Sequence, residues 1–443
     1  MNVIIDKITE DMEFAVKNVP DRAEYIGMVT KAACRQLLIK CYLAQGEFDK
    51  AISQADTLID HSGFELMKSN FGTFVNPMPA VHKVTRNVIW DLHRPENKAI
   101  AANKEVLHVM INREESADSR NRMRTMRVLV PFWAGTGSIG IKTPDGKDGM
   151  NISTTYYDYR KTYGRGIGRL RLTNYSQYSG WNNDPGDLRH NSAVGNWMVM
   201  DSLKYNSPAL FSEGNQYAGK NIFSDDGRLL CSDSIRNWYN WPHYKIWLED
   251  PRKEGASEYE GGGADWYVYR LAETYLLRAE AYIWKGSSYY AKAAADINEV
   301  RKRAQCTNLY TAADMNIGVV MDERMRELYY EEFRHDELSR ASYIFALTGQ
   351  ADEFGNTYTR ETLADKNYWY TRVDKYNNFY NKGVTNRSGV TYTISPYHMF
   401  YPVPQISIDA NRESRINQNK GYVGYEHNIA PYDNLADALA GED

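Results

Sequence analysis

Apolar residues at Ile4, Ile8, Met12 and Val16 recur every fourth position and predict an amphipathic helix at the start of the chain. Residues 31–60 read as a helical hairpin: Lys31 to Ala44 is one helix, Gln45-Gly46 a turn, and Glu47 to Asp60 a second helix. Residues 267–304 repeat the arrangement, with Tyr267 to Lys285, a turn at Gly286-Ser-Ser, and Tyr289 to Ala304. The two hairpins superpose at a constant offset: Leu37 on Leu277, Tyr42 on Tyr282, Gly46 on Gly286, Ala51 on Ala291, Ala55 on Ala295 and Asp56 on Asp296. An aromatic, then Gly at the turn, then small Ala on the return helix lets two antiparallel helices approach closely, which is the tetratricopeptide pattern. One such hairpin cannot bury its own apolar face, so the units must stack on other helices. A third helical stretch, Val320 to Leu347, is the expected neighbour, with Asp322 to Arg326 and Asp336 to Arg340 as pairs on its exposed side.

The helical period disappears between the hairpins. Residues 66–265 are punctuated by Gly, Asn and Asp, with short strands expected only at Glu105–Ile111 and Arg122–Trp133. Gly261-Gly-Gly263 reads as the hinge where this insertion returns to the scaffold. Residues 348–443 are again irregular and tyrosine-rich over most of their length. The expected architecture is one mainly α domain over 1–443. It comprises a helical segment at 1–65, an irregular insertion at 66–265, hairpin helices at 266–347 and an irregular C-terminal region at 348–443.

Charge narrows the function. The 443 residues carry 53 Lys plus Arg against 57 Asp plus Glu, a near-balance that excludes a general nucleic-acid binder. Arg113, Arg120, Arg122, Arg124 and Arg127 form a local basic cluster, read as the solvated face of a strand. No 18-residue apolar run is present, and no basic segment followed by an apolar one marks an export signal. Of the four cysteines, Cys34 and Cys41 lie seven apart in a helical pattern and read as core thiols. Cys231 and Cys306 are isolated, and no Cys/His spacing suggests zinc. No metal or cofactor is expected. Gly164-Arg-Gly-Ile-Gly168 lacks the flanking strand and helix of a dinucleotide site. The Asp184/Asp187 and Asp225/Asp226 pairs, candidates for glycoside hydrolysis, fit turn chemistry better. No catalytic motif is found.

The aromatic share is unusual, with 34 Tyr, 10 Trp and 13 Phe. Many sit in polar loops, where a ring offers a flat apolar face for the CH side of a sugar and neighbouring amides and charges meet its hydroxyls. Tyr178, Trp181, Asn182, Asp184 and Arg189 form one candidate ligand-binding cluster; Trp238, Tyr239 and Trp241 form another. Packing is the alternative for each Trp. Burial of these clusters would favour a scaffold that binds a protein partner.

Tyr269-Arg-Leu-Ala-Glu-Thr-Tyr-Leu-Leu-Arg-Ala-Glu-Ala-Tyr282 and Asp296-Ile-Asn-Glu-Val-Arg-Lys-Arg-Ala304 resemble signature helices of the SusD/RagB family. Glu323-Arg-Met-Arg-Glu-Leu-Tyr-Tyr-Glu-Glu-Phe-Arg334 is similar to the family's next helix. Tyr401-Pro-Val-Pro-Gln405 and Asn417-Gln-Asn-Lys-Gly-Tyr422 resemble its closing motifs, and Asn103-Lys-Glu-Val-Leu107 fits as well. The resemblance implies a lipid-anchored protein on the surface of the outer membrane of Bacteroidota-type bacteria. Such proteins act as a lid on a SusC-like TonB-dependent transporter and capture glycans, or sometimes peptides, without catalysis. Members begin with an export signal, a lipidated cysteine and a helical stretch not found here, so the resemblance implies a fragment or a gene begun at an internal Met. Lys420 stands where Pro is usual and Glu337 where Asp is usual. The leading expectation is glycan capture and delivery; peptide capture and a ligand-free protein-binding scaffold are the alternatives.

Overall fold

The structure, a computed structural model, describes every residue except 1, 114–122, 138–139, 153–154, 171, 232–237, 250–258, 378–381, 386–388, 412–415, 431–433, 435 and 437–443. Both hairpins form. Helix Lys31–Gln45 starts at Thr30, whose hydroxyl accepts the Ala33 N–H, and stops at Gly46, whose φ of 78° turns the chain out of the helix. Phe48–Asp60 runs back and buries Ala51, Ala55 and Leu58. The second hairpin pairs Leu271–Trp284 with Tyr290–Arg303. Its first helix packs on Phe48–Asp60. There Arg278 reaches Asp56 (2.8 Å) and Asp60 (3.0 Å) of the first hairpin as well as Asp296 (2.7 Å) of its own. Cys34 and Cys41 are buried free thiols, as expected.

Several expected boundaries move. Trp266–Arg270 is not helical: it pairs antiparallel with the expected strand at Val106–Met110, Met110 opposite Trp266 and Val106 opposite Arg270. Its aromatic and β-branched residues suit a pleated surface. The second expected strand is replaced by a short helix, Thr125–Leu129; Arg120 and Arg122 lie outside the described residues. The stretch 320–347 is two helices, Ile317–Glu327 and Arg334–Thr348, separated at a turn where Tyr330 takes a φ of 64°. Arg326 is buried rather than exposed, with Glu323 at 2.9 Å. In the first helix, Asn2–Asn18, Ile4 and Ile8 face solvent and Thr9 is buried.

The chain folds as two compact units, 1–332 with 377–392 and 333–376 with 393–443. Helix Arg334–Thr348, expected among the scaffold helices, therefore belongs to the second unit. That unit packs it with Tyr368–Tyr376 around Leu338, Phe345, Tyr368 and Trp369. There the Gln418 side chain bonds both the N–H (2.8 Å) and the carbonyl (2.9 Å) of Val403, tying the two closing motifs together.

Within the first unit the insertion has its own core. Trp133, Trp181, Trp197, Trp238, Trp241 and Trp247 pack with Tyr205, Tyr239 and aliphatic residues. Loop carbonyls satisfy two of the buried indoles: Trp133 Nε1 donates to Gly164 (2.8 Å) and Trp181 Nε1 to Ser176 (2.8 Å). At Gly261, φ 83°, a Cβ would stand 2.6 Å from Met126 and 2.7 Å from the Leu248 carbonyl, so the returning chain fits only without a side chain.

A buried ionic network joins insertion to hairpins. Arg270 binds Glu105 (2.6 Å), Glu327 (2.9 Å) and Glu331 (2.7 Å), and Arg303 binds Glu105 (2.9 Å) and Glu327 (2.5 Å). Lys245 of the insertion meets Glu331 at 2.6 Å. Burial alone would raise the Glu323 carboxyl, but Arg189, Arg326 and Arg301 outweigh it and hold it down to about 2. Glu327 is held below the usual carboxylate range against the same burial, by Arg303, Arg270 and Arg189.

Candidate functional site

The two expected aromatic clusters are corrected by their burial. Trp181 is 3% exposed, Trp238 1%, Tyr239 3% and Trp241 0%. Trp181 stacks on His190 (4.7 Å between centroids, 12° between planes) and Trp241 on Trp247 (6.4 Å, 10°). Burial also holds the His190 imidazole below its usual range, so it packs as a neutral ring. These rings are core, and none presents a face to a ligand. The two polar members have structural duties too. Arg189 is clamped by Asp187 (2.6 Å), Glu323 (2.7 Å) and Glu327 (3.1 Å). Asp184 accepts the Asn308 N–H (2.9 Å) and Arg301 (3.2 Å). Of the eight residues, Tyr178 and Asn182 remain on the surface.

Tyr178 belongs to an exposed face that the sequence reading did not assemble. It is 37% exposed, and its hydroxyl donates to Asp201 Oδ1 (3.1 Å) while accepting from Asn240 Nδ2 (3.1 Å). Asn240 is buried and fixed in turn. Its N–H reaches Gln177 Oε1 (3.0 Å) and its side-chain oxygen takes the Met200 N–H (2.8 Å). Asp201 itself is exposed. The phenol is therefore held by a buried amide beside an open carboxylate.

Three residues further along the chain, Lys204 meets a second exposed ring. Tyr157 is 44% exposed and carries a φ of 51°, a conformation that costs a non-glycine residue on the order of 1 kcal/mol or more. The buried Asn206 side chain holds it there, donating to the carbonyls of Tyr157 (3.0 Å) and Asn151 (3.0 Å) and accepting the Asn151 N–H (2.8 Å). Lys204 stands over the Tyr157 ring, its ammonium 5.2 Å from the centroid. Its backbone N–H donates to the Tyr159 hydroxyl (2.9 Å). Burial pushes that phenol up to about 12, so it stays a neutral acceptor. Tyr159 lies beside Tyr157 at 6.1 Å and 14°. The Tyr-Tyr-Asp-Tyr run at 156–159 was visible as an aromatic loop, but nothing local marks Asp201, Lys204 or Asn240.

Tyr178 beside Asp201, and Tyr157 with Lys204 over its ring, put exposed aromatic rings next to hydrogen-bonding groups, the chemistry that holds a polyhydroxylated ligand. Among the described residues no group of three His, Cys, Asp or Glu is arranged to hold a metal ion. Among the same described residues no helix is long and apolar enough to cross a membrane.

The SusD family model matches residues 140–422, well over half of the chain and spanning most of the insertion, the second hairpin and the closing motifs. The chain belongs to the SusD family. The starch-binding protein SusD of Bacteroides thetaiotaomicron is 33% identical over 156 residues, which are 35% of this chain and 21% of that relative. The chain thus aligns with about a fifth of that SusD protein's length. Among solved structures, surface glycan-binding protein A from Bacteroides uniformis superposes with a TM-score of 0.51 at 16% identity, covering 94% of this chain and 68% of that one. A laminarin-binding SusD-like protein does so with 0.54 at 17%, covering 95% and 69%. Surface glycan-binding protein A from Bacteroides thetaiotaomicron, in complex with laminarihexaose, gives 0.50 at 17%, covering 94% and 70%. These likenesses establish the SusD-like, mainly α fold of the chain.

Proposed function

We propose that the chain captures a glycan at its exposed tyrosines Tyr157 and Tyr178 without transforming it. The observation that carries this reading is the fixing of two exposed tyrosines by two buried asparagines, Asn206 and Asn240. A strained backbone that keeps Tyr157 exposed, and a Tyr178 hydroxyl held in place at the surface, are poorly explained by packing and well explained by a ligand. The names of its relatives, a starch-binding and two glycan-binding proteins among them, support the same substrate class. Delivery to a SusC-like TonB-dependent transporter, from a lipid-anchored position on the surface of the outer membrane, follows the family and completes the proposal. No residue is assigned a catalytic step.

Native affinity electrophoresis against plant, host and microbial polysaccharides tests the reading. Tyr157→Ala and Tyr178→Ala should abolish the retardation that one glycan imposes on the wild-type chain while leaving the circular-dichroism melt in place. Retardation unchanged in both variants would move the site elsewhere. A second reading, a scaffold for a protein partner, gains from the burial of Trp181, Trp238 and Trp241. It gains also from an open groove of about 540 Å³ lined by Ile59, Tyr275, Arg278, Ala295 and Tyr310.

A further inference from the structure

We infer that the buried His82–His243 pair is an acid-sensitive latch: neutral, it holds the segments that carry Tyr157 and Tyr178, and protonation unfastens them. Unfastening would also release a ligand held by those tyrosines, a consequence that rests on the glycan reading above. The two rings come from distant parts of the chain and meet edge to face, 4.6 Å between centroids and 78° between planes. Both are buried, His82 at 6% exposure and His243 at 2%. Each gives one nitrogen to a backbone carbonyl: His82 Nε2 lies 2.9 Å from the Thr162 oxygen and His243 Nδ1 2.8 Å from that of Gly195. A carbonyl only accepts, so those nitrogens carry the protons and His82 Nδ1 and His243 Nε2 are bare acceptors. Both bare nitrogens are buried without a hydrogen-bond partner.

The two carbonyls belong to the segments that place the tyrosines. Thr162 lies in the short helix Tyr159–Tyr163, which Asp158 caps directly after Tyr157. Gly195 leads into strand Trp197–Met198, paired with Trp241–Pro242 beside the Asn240 that holds Tyr178. The His243 N–H also donates to the Asn196 carbonyl (2.8 Å). At Gly195, φ 85°, a Cβ would stand 2.5 Å from the Lys83 carbonyl, so the chain next to His82 abuts the segment that His243 holds.

The surroundings do not accommodate a second proton on either ring. Trp90 and Trp241 stand 5.2 and 5.8 Å from His243, and Trp247 4.4 Å from His82. The charged groups on the elements packed around the pair are engaged elsewhere. Asp91 holds Arg86 (3.0 Å) and the Phe71 N–H (3.1 Å), and Asp158 holds Arg160 (3.1 Å). Arg127 meets Glu260 (3.2 Å), and Lys245 meets Glu331 (2.6 Å). Lys83 and Lys161 are exposed, and His93 faces the rings of Tyr244 and Tyr267. Arg94, which binds Glu96 (3.1 Å) and acts on Glu249, places its positive charge near His243. A proton on either bare nitrogen would thus be a buried donor without an acceptor and a charge without a counter-ion. Burial, then the His82 and Arg94 charges, push His243 down to about 3, and burial lowers His82 as well. The latched state therefore takes up protons less readily than an opened one. Its stability is full above about pH 6.5 and is lost as pH falls from there toward about 3. At pH 5, His243 alone should favour the opened state about thirtyfold relative to pH 7.5.

The full chain is followed from pH 7.5 to pH 5 by imidazole NMR titration and by hydrogen exchange corrected for the intrinsic rate. His82→Gln and His243→Asn keep an N–H for the Thr162 and Gly195 carbonyls but take up no proton. In the wild type, exchange protection in 157–163 and 195–201 should fall roughly thirtyfold while helix Leu271–Trp284 stays protected. The double variant should lose that pH dependence. An equal fall in the double variant, or both wild-type rings titrating near pH 6.5 in the intact chain, overturns the latch; the second readout decides even where the variants do not fold. Affinity electrophoresis on amylopectin, pectin, yeast mannan and mucin at both pH values tests release. A polysaccharide that retards both proteins at pH 7.5 should let go of the wild type at pH 5 and keep the double variant. Wild-type retention at pH 5 with the segments opened overturns release alone. No retardation at pH 7.5 by any polysaccharide counts against glycan capture and leaves the latch to stand on its exchange behaviour.

Discussion

The hairpins and the insertion bury their residues by opposite means. Helices Phe48–Asp60 and Leu271–Trp284 pack together with the small Ala51 and Ala55 fully buried and charges kept to the rim as Arg278 and its aspartates. The insertion has little regular structure and fills the space between loops with six tryptophans. The border between the two is neither: it is a buried set of arginines and glutamates centred on Glu327. Close helix packing needs small residues at a fixed period, whereas irregular loops need large rings to close over uneven gaps and hydrogen bonds to quiet their carbonyls. The border must also accept polar loop ends, and paired charges satisfy them where an apolar seam would leave them stranded.

That contrast can be broken at measurable points. Glu327→Ala strips the shared partner from buried Arg189, Arg270 and Arg303. It should destabilise the first unit by about 5 kcal/mol in urea titration, the largest single loss expected here. Trp241→Ala should cost about 4 kcal/mol, whereas Tyr178→Ala should cost less than about 1 kcal/mol. Comparable losses for the two would mean the exposed face is also core. Acid probes the border next. Because the folded Glu323 carboxyl sits near 2, below its unfolded value, its contribution is present above about pH 4.5 and lost as pH falls toward about 2. That one group should account for about 3 kcal/mol between denaturation midpoints measured at those ends. The hairpins themselves differ by one outcome: Ala55→Leu, in the closed seam, should cost about 2 kcal/mol by overpacking, and its repeat partner Ala295→Leu less than about 0.5 kcal/mol.

The last pair exposes how far the repeat carries. Ala55 and Ala295 occupy the same register, yet Ala55 is fully buried and Ala295 borders the open groove. Register is a property of the segment; cover is a property of the elements packed against it. The same division explains the misplaced site. Trp181 and Trp238 lie among Asn, Asp and Gly, which suggested rings on exposed loops, but those polar neighbours were turn formers and hydrogen-bond partners folding around a core. Tyr157, Asp201, Lys204 and Asn240 are separated along the chain by loops whose closure no local pattern reports.

The amino-acid sequence by itself determined the two hairpins, the left-handed turn at Gly46, the core thiols and the likeness to the SusD family, because helical period, turn chemistry and motif spacing are local. Only the tertiary structure decided which aromatics are core and which stand at the surface, that Trp266–Arg270 is a strand, and that Arg189 and Asp184 are border charges and not ligands. Those outcomes depend on residues distant in the chain competing for the same buried volume, and that competition is resolved only when the chain has closed.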